Sequence, residues 1–276
     1  MKISVIIPTY NRAKHLKRSI ESVLDQSYKA DEVIIIDDGS TDETKELISH
    51  YPVKYFFQTN KGVSNSRNKG IELSSNKWLC FLDSDDIWEK EKLKKQVNFH
   101  KENPNILFSH TDEKWIFNDK QIKKKAYQKK HDRSHFLDHI ENTFIGASTV
   151  MLHKDILDKI GDFKEKQIFD ESLVACEDYD LWLRILREHQ LGFIDEELIQ
   201  KIAGHPHQLS FETPLQDKYR IEALLKHLDS AYKKEIIQEI EKRLKILRSG
   251  AKKHQNKEVL SYCKKVMDSI STNLKH

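Results

Sequence analysis

The chain has 276 residues, 38% hydrophobic and 33% charged, a balance that excludes a disordered chain and allows a buried core. Lys and Arg number 47 against 44 Asp and Glu, so the formal charge of +3 does not select nucleic acid as a partner. Cys80, Cys176 and Cys263 lie far apart with no C-x-x-C spacing, which argues against a disulfide framework or zinc knuckle and suits a reducing compartment.

In chain order, Ile3 to Ile7 is apolar throughout, as expected for a strand covered on both faces. Asn11 is placed to cap a helix whose Leu16, Ile20, Val23 and Leu24 share one face. Val33 to Ile36 is a second buried strand ending in Asp37-Asp38-Gly39-Ser40, and Thr41 or Asp42 caps a helix carrying Leu47 and Ile48. Val53 to Phe57 is a third strand and Gly62 to Leu73 a third helix. Trp78 to Leu82 is a fourth strand, ending in Asp83-Ser84-Asp85-Asp86, and a helix with Leu93, Val97 and Phe99 follows. Four strand-helix units predict an α/β fold with a mostly parallel sheet flanked by helices, whose ligands bind beyond the carboxyl ends of the strands. Both acidic clusters fall at such ends, so the topology predicts that they share one rim.

Beyond residue 105 the pattern loosens. Ile106 to Phe117 predicts one or two strands, followed by a lysine-rich loop to about Arg133. Phe144 to Leu152 suits a strand or a pocket wall, and His153 to Ile160 a short helix. Glu177 to His189 is helical, with Leu181, Ile185 and Leu186 inward, and Gly192 to Ile194 and Leu198 to Ile202 predict two brief strands. From about Pro214 onward the pattern is helical, over Tyr219 to Leu228, Glu235 to Leu247 and Lys257 to Ile270. The last helices mix lysine with glutamate at salt-bridge spacing, such as Glu241 and Lys245, and carry few aromatics, which predicts a solvated face and no nucleic acid. Their Ile236, Ile240, Leu244 and Leu247 are expected to pack on the α/β domain or on a second copy of the chain. The first apolar run is too short for a signal peptide, and no stretch reaches the roughly 20 apolar residues of a membrane span. The expected location is the cytoplasm, with the basic helices suited to contact anionic lipid at the inner face of the membrane.

Three clusters carry candidate chemistry. Asp83-Ser84-Asp85-Asp86 packs three carboxylates into four residues, which costs stability unless a cation answers them. A hard divalent ion, Mn²⁺ or Mg²⁺, shared with substrate phosphates is one answer, and a solvated helix start is the other. Asp38 sits in a stretch that makes a good turn with no function required, yet its carboxylate could accept hydrogen bonds from a nucleobase or ribose. Arg67 suits a diphosphate or a carboxylate partner, and also an ordinary surface charge. Glu177-Asp178 opens a helix, where Asp178 is either a helix-start acid or a general base. In Gly204-His205-Pro206-His207, His205 is a candidate to complete a metal site begun by Asp85.

The strings ISVIIPTYNR, VIIIDDGSTDET, GVSNSRNKGI, FLDSDD and EDYDLWLR, in this order, resemble the family 2 glycosyltransferases of GT-A fold. The resemblance covers about residues 2 to 210 and leaves the helical tail outside. It implies a GT-A domain over 1–212, with a nucleotide-binding half (1–104) and an acceptor-side half (105–212), and a helical extension over 213–276. It implies that Asp38 contacts the nucleobase and that Pro8, Thr9 and Tyr10 line the same pocket. Asp83 would hold the ribose or donor sugar with Ser84 beside it, Asp85 the divalent metal ion, and Arg67 the nucleotide end of the donor. Asp178 would be the general base of an inverting transfer from a nucleotide sugar, most commonly a UDP-sugar, to a glycan, lipid-linked or protein acceptor. Surface polysaccharide or glycoconjugate assembly would be the setting. Cys176 departs from the pattern, since a small residue more usually precedes the Glu-Asp pair.

Other functions fit less of the chain. A sugar-phosphate nucleotidyltransferase would want a glycine-rich loop after the first strand, where Pro-Thr-Tyr-Asn-Arg stands. A receiver-type phospho-switch would leave Glu177-Asp178 and the second acidic strand end unexplained. A non-catalytic nucleotide-sugar binder would have no use for a general base.

Overall fold

The computed structural model describes residues 1–124, 130, 133–142, 144–160, 167–204 and 215–273. Its first half alternates β1 (Ile3–Thr9), α1 (Ala13–Leu24), β2 (Glu32–Asp37), α2 (Thr44–Ile48), β3 (Lys54–Phe57), α3 (Val63–Leu73) and β4 (Trp78–Phe81). These strands pair in parallel in the order β3-β2-β1-β4, so all four carboxyl ends reach one edge. β1 is buried along its whole length because its two faces meet two different cores. Ile3, Val5 and Ile7 pack with Leu16, Ile20 and Val23 of α1, while Ile6 faces the opposite core. On that side a Cβ on Gly70 would lie 2.3 Å from a methyl of Ile6, so glycine is what lets α3 press against β1.

The second half is not parallel. After β5 (Ile87–Trp88) and α4 (Lys92–Glu102) come β6 (Phe108–Phe117), β7 (Lys120–Ile122), α5 (Phe136–Ile140), β8 (Met151–His153) and a 3₁₀ turn over Lys154–Lys159. α6 (Glu177–Leu186) and β9 (Leu191–Ala203) follow. The sheet continues from β4 through β8, β6 and β9 to β5, with β8 antiparallel to both its neighbours and β9 parallel to β6. The parallel character expected from the first hundred residues thus stops at β4, and the sheet as a whole is mixed.

Two local expectations are corrected. The two brief strands expected at 192–194 and 198–202 are one strand, β9, which crosses its exposed middle by shifting register against β6 beside Thr111, Asp112 and Glu113. Asn11 does not cap α1. It adopts a left-handed backbone (φ 50°), and its Oδ1 accepts from the Thr41 amide at 2.7 Å. The first amide of α1, at Ala13, instead donates to Asp42 Oδ2 at 3.0 Å.

The chain ends in α7 (Gln216–Leu225), α8 (Lys233–Lys253) and α9 (Lys257–Asn273). Ile236, Ile240, Leu244 and Leu247 of α8 are buried in one core with Leu181, Trp182 and Ile185 of α6, so they pack on the α/β domain. Arg243 fastens the same helix to α7 by an ion pair to Asp217 at 2.6 Å, and pairs within α8 to Glu239 at 2.9 Å. Among the described residues no helix is long and apolar enough to cross a membrane.

Candidate active site

The end of β1 is flanked by the end of β2 on one side and the end of β4 on the other, and the side chains there are tied together across the gap. The Asp38 amide donates to the Thr9 carbonyl at 2.9 Å, and the Leu82 amide to the Ile6 carbonyl at 3.0 Å. Arg12, just after β1, closes an ion pair with Asp85 at the end of β4. Arg67 of α3 reaches Asp83 at 2.8 Å with one guanidinium nitrogen and Glu177 of α6 with the other. The two acidic strand ends therefore share one rim, as the topology predicts, and Arg67 joins the Glu177-Asp178 helix start to it.

Pro8 and Thr9 are buried, and the Thr9 hydroxyl has no hydrogen-bond partner among the described residues. Tyr10 follows with 47% of its surface exposed, a ring open to stacking. Asp38 is buried and heavily engaged. Its Oδ1 accepts from Gln58 Nε2 at 2.7 Å and the Lys61 amide at 2.9 Å, and its Oδ2 from the Gly62 amide at 2.8 Å. A carboxylate has about four acceptor positions, so one remains on Oδ2. Gly62 needs no side chain here: it precedes α3 with φ 91°, a conformation that glycine adopts without strain. Its neighbour Asp37 serves structure instead, accepting from the Ser40 amide at 2.8 Å and from the Tyr55 hydroxyl at 2.9 Å.

At the end of β4, Asp83 is the more open acid, with 34% of its side chain exposed against 11% for Asp85. Ser84 between them is buried. Burial pushes the Asp83 carboxyl up, but Arg67, aided by Lys201 and Arg12, outweighs it and holds the group below the usual carboxylate range. Asp86 goes the other way. Burial and the adjacent Asp85 raise it well above that range, and it is held by Ser148 Oγ at 2.7 Å and the Ile202 amide at 3.2 Å. Among the described residues no three His, Cys, Asp or Glu converge as a ready metal cage. A magnesium-like ion rarely needs one, since one or two carboxylates together with substrate phosphates suffice, and Asp83 and Asp85 supply oxygen ligands of that kind. His205 lies outside the described residues.

Asp178 is half-buried at the first turn of α6, with its Oδ1 accepting from the Tyr179 amide at 2.7 Å. Burial raises its carboxyl, opposed by Arg67 and Lys201, so it is a stronger base than an ordinary aspartate. Glu177 beside it is buried and pushed up to about 7 by burial, against the pull of Arg67. Cys176 holds the left-handed conformation (φ 63°) that turns the chain into α6.

Sequence reasoning passed over two residues. Lys201 of β9 and Glu113 of β6 both reach this cleft from the far half of the sheet. Burial pulls the Lys201 ammonium down, but Glu113, Asp86, Asp83 and Asp178 together outweigh it and hold it above the usual lysine range. The only local signal was a lysine, beside Gln200, in the mostly apolar run from Leu198 to Ala203.

Comparison with known proteins agrees with this geometry. Residues 4–161 match Glycosyl transferase family 2. An uncharacterized glycosyltransferase of Rickettsia felis is 34% identical over 216 residues, covering 74% of this chain and 33% of its own length. The chain thus spans about a third of that relative. The putative teichuronic acid biosynthesis glycosyltransferase TuaG of Bacillus subtilis is 32% identical over 67% of this chain and 72% of its own. Escherichia coli WfgD, a UDP-Glc:alpha-D-GlcNAc-diphosphoundecaprenol beta-1,3-glucosyltransferase, is 32% identical over 70% of this chain and 73% of its own. Among solved structures, S. aureus TarS 1–349 in complex with UDP-GlcNAc superposes with a TM-score of 0.74 over 94% of this chain and 77% of that one. At 21% identity the last likeness speaks for the fold alone.

Proposed function

The chain belongs to glycosyl transferase family 2, and on that premise we propose that it transfers a sugar from a UDP-sugar to a hydroxyl of a glycan, lipid-linked or protein acceptor in surface polysaccharide or glycoconjugate assembly. The observation that carries the reading is the convergence of Asp38, Arg67, Asp83, Asp85 and Asp178 on the rim at the end of β1. The one acceptor position left on Asp38 suits a base that donates a ring N–H, as uracil, thymine and guanine do and cytosine does not, and so admits a uridine nucleotide. The UDP-GlcNAc complex of TarS and the UDP-Glc donor in the name of WfgD point the same way.

In this reading Tyr10 stacks on the base, and Pro8 and Thr9 floor its pocket. Asp83, steadied by Arg67 and flanked by Ser84, takes ribose or donor-sugar hydroxyls. Asp85 holds a Mn²⁺ or Mg²⁺ ion, whose chemistry when bound is to offset the negative charge that grows on the departing diphosphate. Asp178 removes the proton from the acceptor hydroxyl, a weak nucleophile until then. The bond from acceptor oxygen to anomeric carbon forms as the bond to the diphosphate oxygen breaks, and the configuration inverts. The electron pair leaves with the diphosphate and the acceptor proton stays on Asp178.

A panel of UDP-, GDP-, CMP- and dTDP-sugars with Mn²⁺, read as melting temperature, tests the donor. The expected result is a rise with UDP-sugars that exceeds the rise with the other three. No rise with any of them would overturn the donor reading.

A further inference from the structure

We propose that Lys201 is a diphosphate-binding residue of this site, an inference that rests on the nucleotide-sugar reading. Among the described residues, Arg12, Arg67 and Lys201 are cations at the rim. Arg12 is committed to Asp85, and Arg67 to Asp83 and Glu177. Lys201 is different. It is half-buried on β9, faced by Glu113, Asp86, Asp83 and Asp178, and yet its ammonium closes no hydrogen bond or ion pair among the described residues. An ammonium has three N–H donors, and a half-buried one that spends none of them on protein has them to give to a ligand or to water.

The backbone fixes where that ammonium sits. β9 is anchored to the Asp83-Ser84-Asp85-Asp86 turn by the Ile202 amide, which donates to Asp86 Oδ1 at 3.2 Å. The same turn is held from below by Ser148, whose Oγ accepts from the Asp83 amide at 3.1 Å. Lys201 is thus one residue from a direct tie to the loop that carries both donor-side acids. Gly146 lies beside it. A Cβ there would stand 3.8 Å from Lys201 Nζ and 3.4 Å from Glu113 Oε2, although its backbone (φ −84°, ψ 142°) would suit any residue. Both are ordinary contact distances, so Gly146 marks the wall beside the ammonium without being required there.

The four acids explain why Lys201 stays protonated without being neutralised by any one of them. A fixed positive charge in such a place adds to the stabilisation of the departing diphosphate without having to reorganise. It would also let the site keep part of its grip on a diphosphate when a divalent ion is scarce.

The test compares UDP with UMP, which differ by one phosphate, by calorimetry in EDTA and again in Mn²⁺. Wild type is expected to prefer UDP, and Lys201→Gln to lose about tenfold of that preference in EDTA while binding UMP as before. Lys201→Arg is expected to recover part of the loss. Because removing one positive charge also makes the site more negative, the paired variant E113Q/K201Q, which restores the net charge, is measured as well and should show the same loss. A UDP-to-UMP preference unchanged in both Lys201→Gln and E113Q/K201Q would overturn the lysine assignment alone. Wild type that binds neither nucleotide in either buffer would overturn it together with the donor reading.

Discussion

Arg12 and Asp85, 73 residues apart in the chain, are ion-paired across the gap between the ends of β1 and β4. The pair is mostly shielded, with 19% and 11% of the two side chains exposed. Any cation that Asp85 takes must compete with this guanidinium. Arg12→Ala is therefore expected to tighten Mn²⁺, lowering the concentration for half-maximal effect on UDP binding about fivefold, the equivalent of about 1 kcal/mol for a pair with some exposure. A Mn²⁺ titration followed by calorimetry checks this, and a weaker Mn²⁺ response in the variant would show that Arg12 assists the ion instead.

The raised carboxyl of Asp178 separates binding from chemistry. Asp178→Asn keeps the shape and the helix start but cannot accept the acceptor proton, so kcat should fall by roughly 100- to 10,000-fold while the Kd for UDP stays within about twofold. In the wild type the base works ionised, and burial has moved its carboxyl upward, so kcat should rise with pH through a point above the ordinary aspartate value. Wild-type turnover in Asp178→Asn would remove it from the mechanism.

Asp38 does two jobs that two substitutions can separate. Its oxygens hold the Lys61 and Gly62 amides at the entry to α3, and the remaining acceptor position is the one proposed to meet the base. Asp38→Ala removes both, and because Lys61 and Gly62 are exposed enough to rehydrate, the cost is about 1 to 2 kcal/mol, or roughly 3 to 6 °C in Tm. Asp38→Asn retains one carbonyl oxygen and should lose less stability than Asp38→Ala. It should nevertheless lose most uridine nucleotide binding, because its amide offers the base a donor where an acceptor is needed. Equal UDP binding in Asp38→Asn and wild type would place the base elsewhere.

The parts of this site that were legible in the sequence are those whose signal is local. β1 and β2 read as strands because Ile3–Ile7 and Val33–Ile36 are buried on both faces, and such runs need no partner to be recognised. Asp83 and Asp85 stood out by acid density, and Asp178 by its place at a helix start. Lys201 and Glu113 gave no such signal. They meet the acids only because β9 runs parallel to β6 and is pinned to Asp86, a pairing between segments some 80 residues apart that depends on a register shift. Asn11 misled for a related reason: a good capping residue was drawn instead into the Thr41 turn, and Asp42 from 30 residues on took its place.

The second core carries a pH dependence unrelated to catalysis. His227 is 1% exposed, lies edge-on to Phe136 at 5.2 Å, and neither ring nitrogen has a hydrogen-bond partner among the described residues. Burial, helped by Arg187 and Arg184, pulls it from 6.5 down to about 3. Between those values the unfolded chain binds a proton that the folded chain refuses, so folding stability is whole above pH 6.5 and falls as the pH drops toward 3. At pH 5 the single histidine accounts for about 2 kcal/mol of that loss. His227→Leu removes the proton site and two unpartnered polar atoms at similar volume, so at pH 8 it should be neutral or stabilising. Its Tm should then fall less than the wild type's between pH 7 and pH 5. Parallel Tm curves for the two proteins over that interval would mean that His227 keeps its proton-binding capacity in the fold.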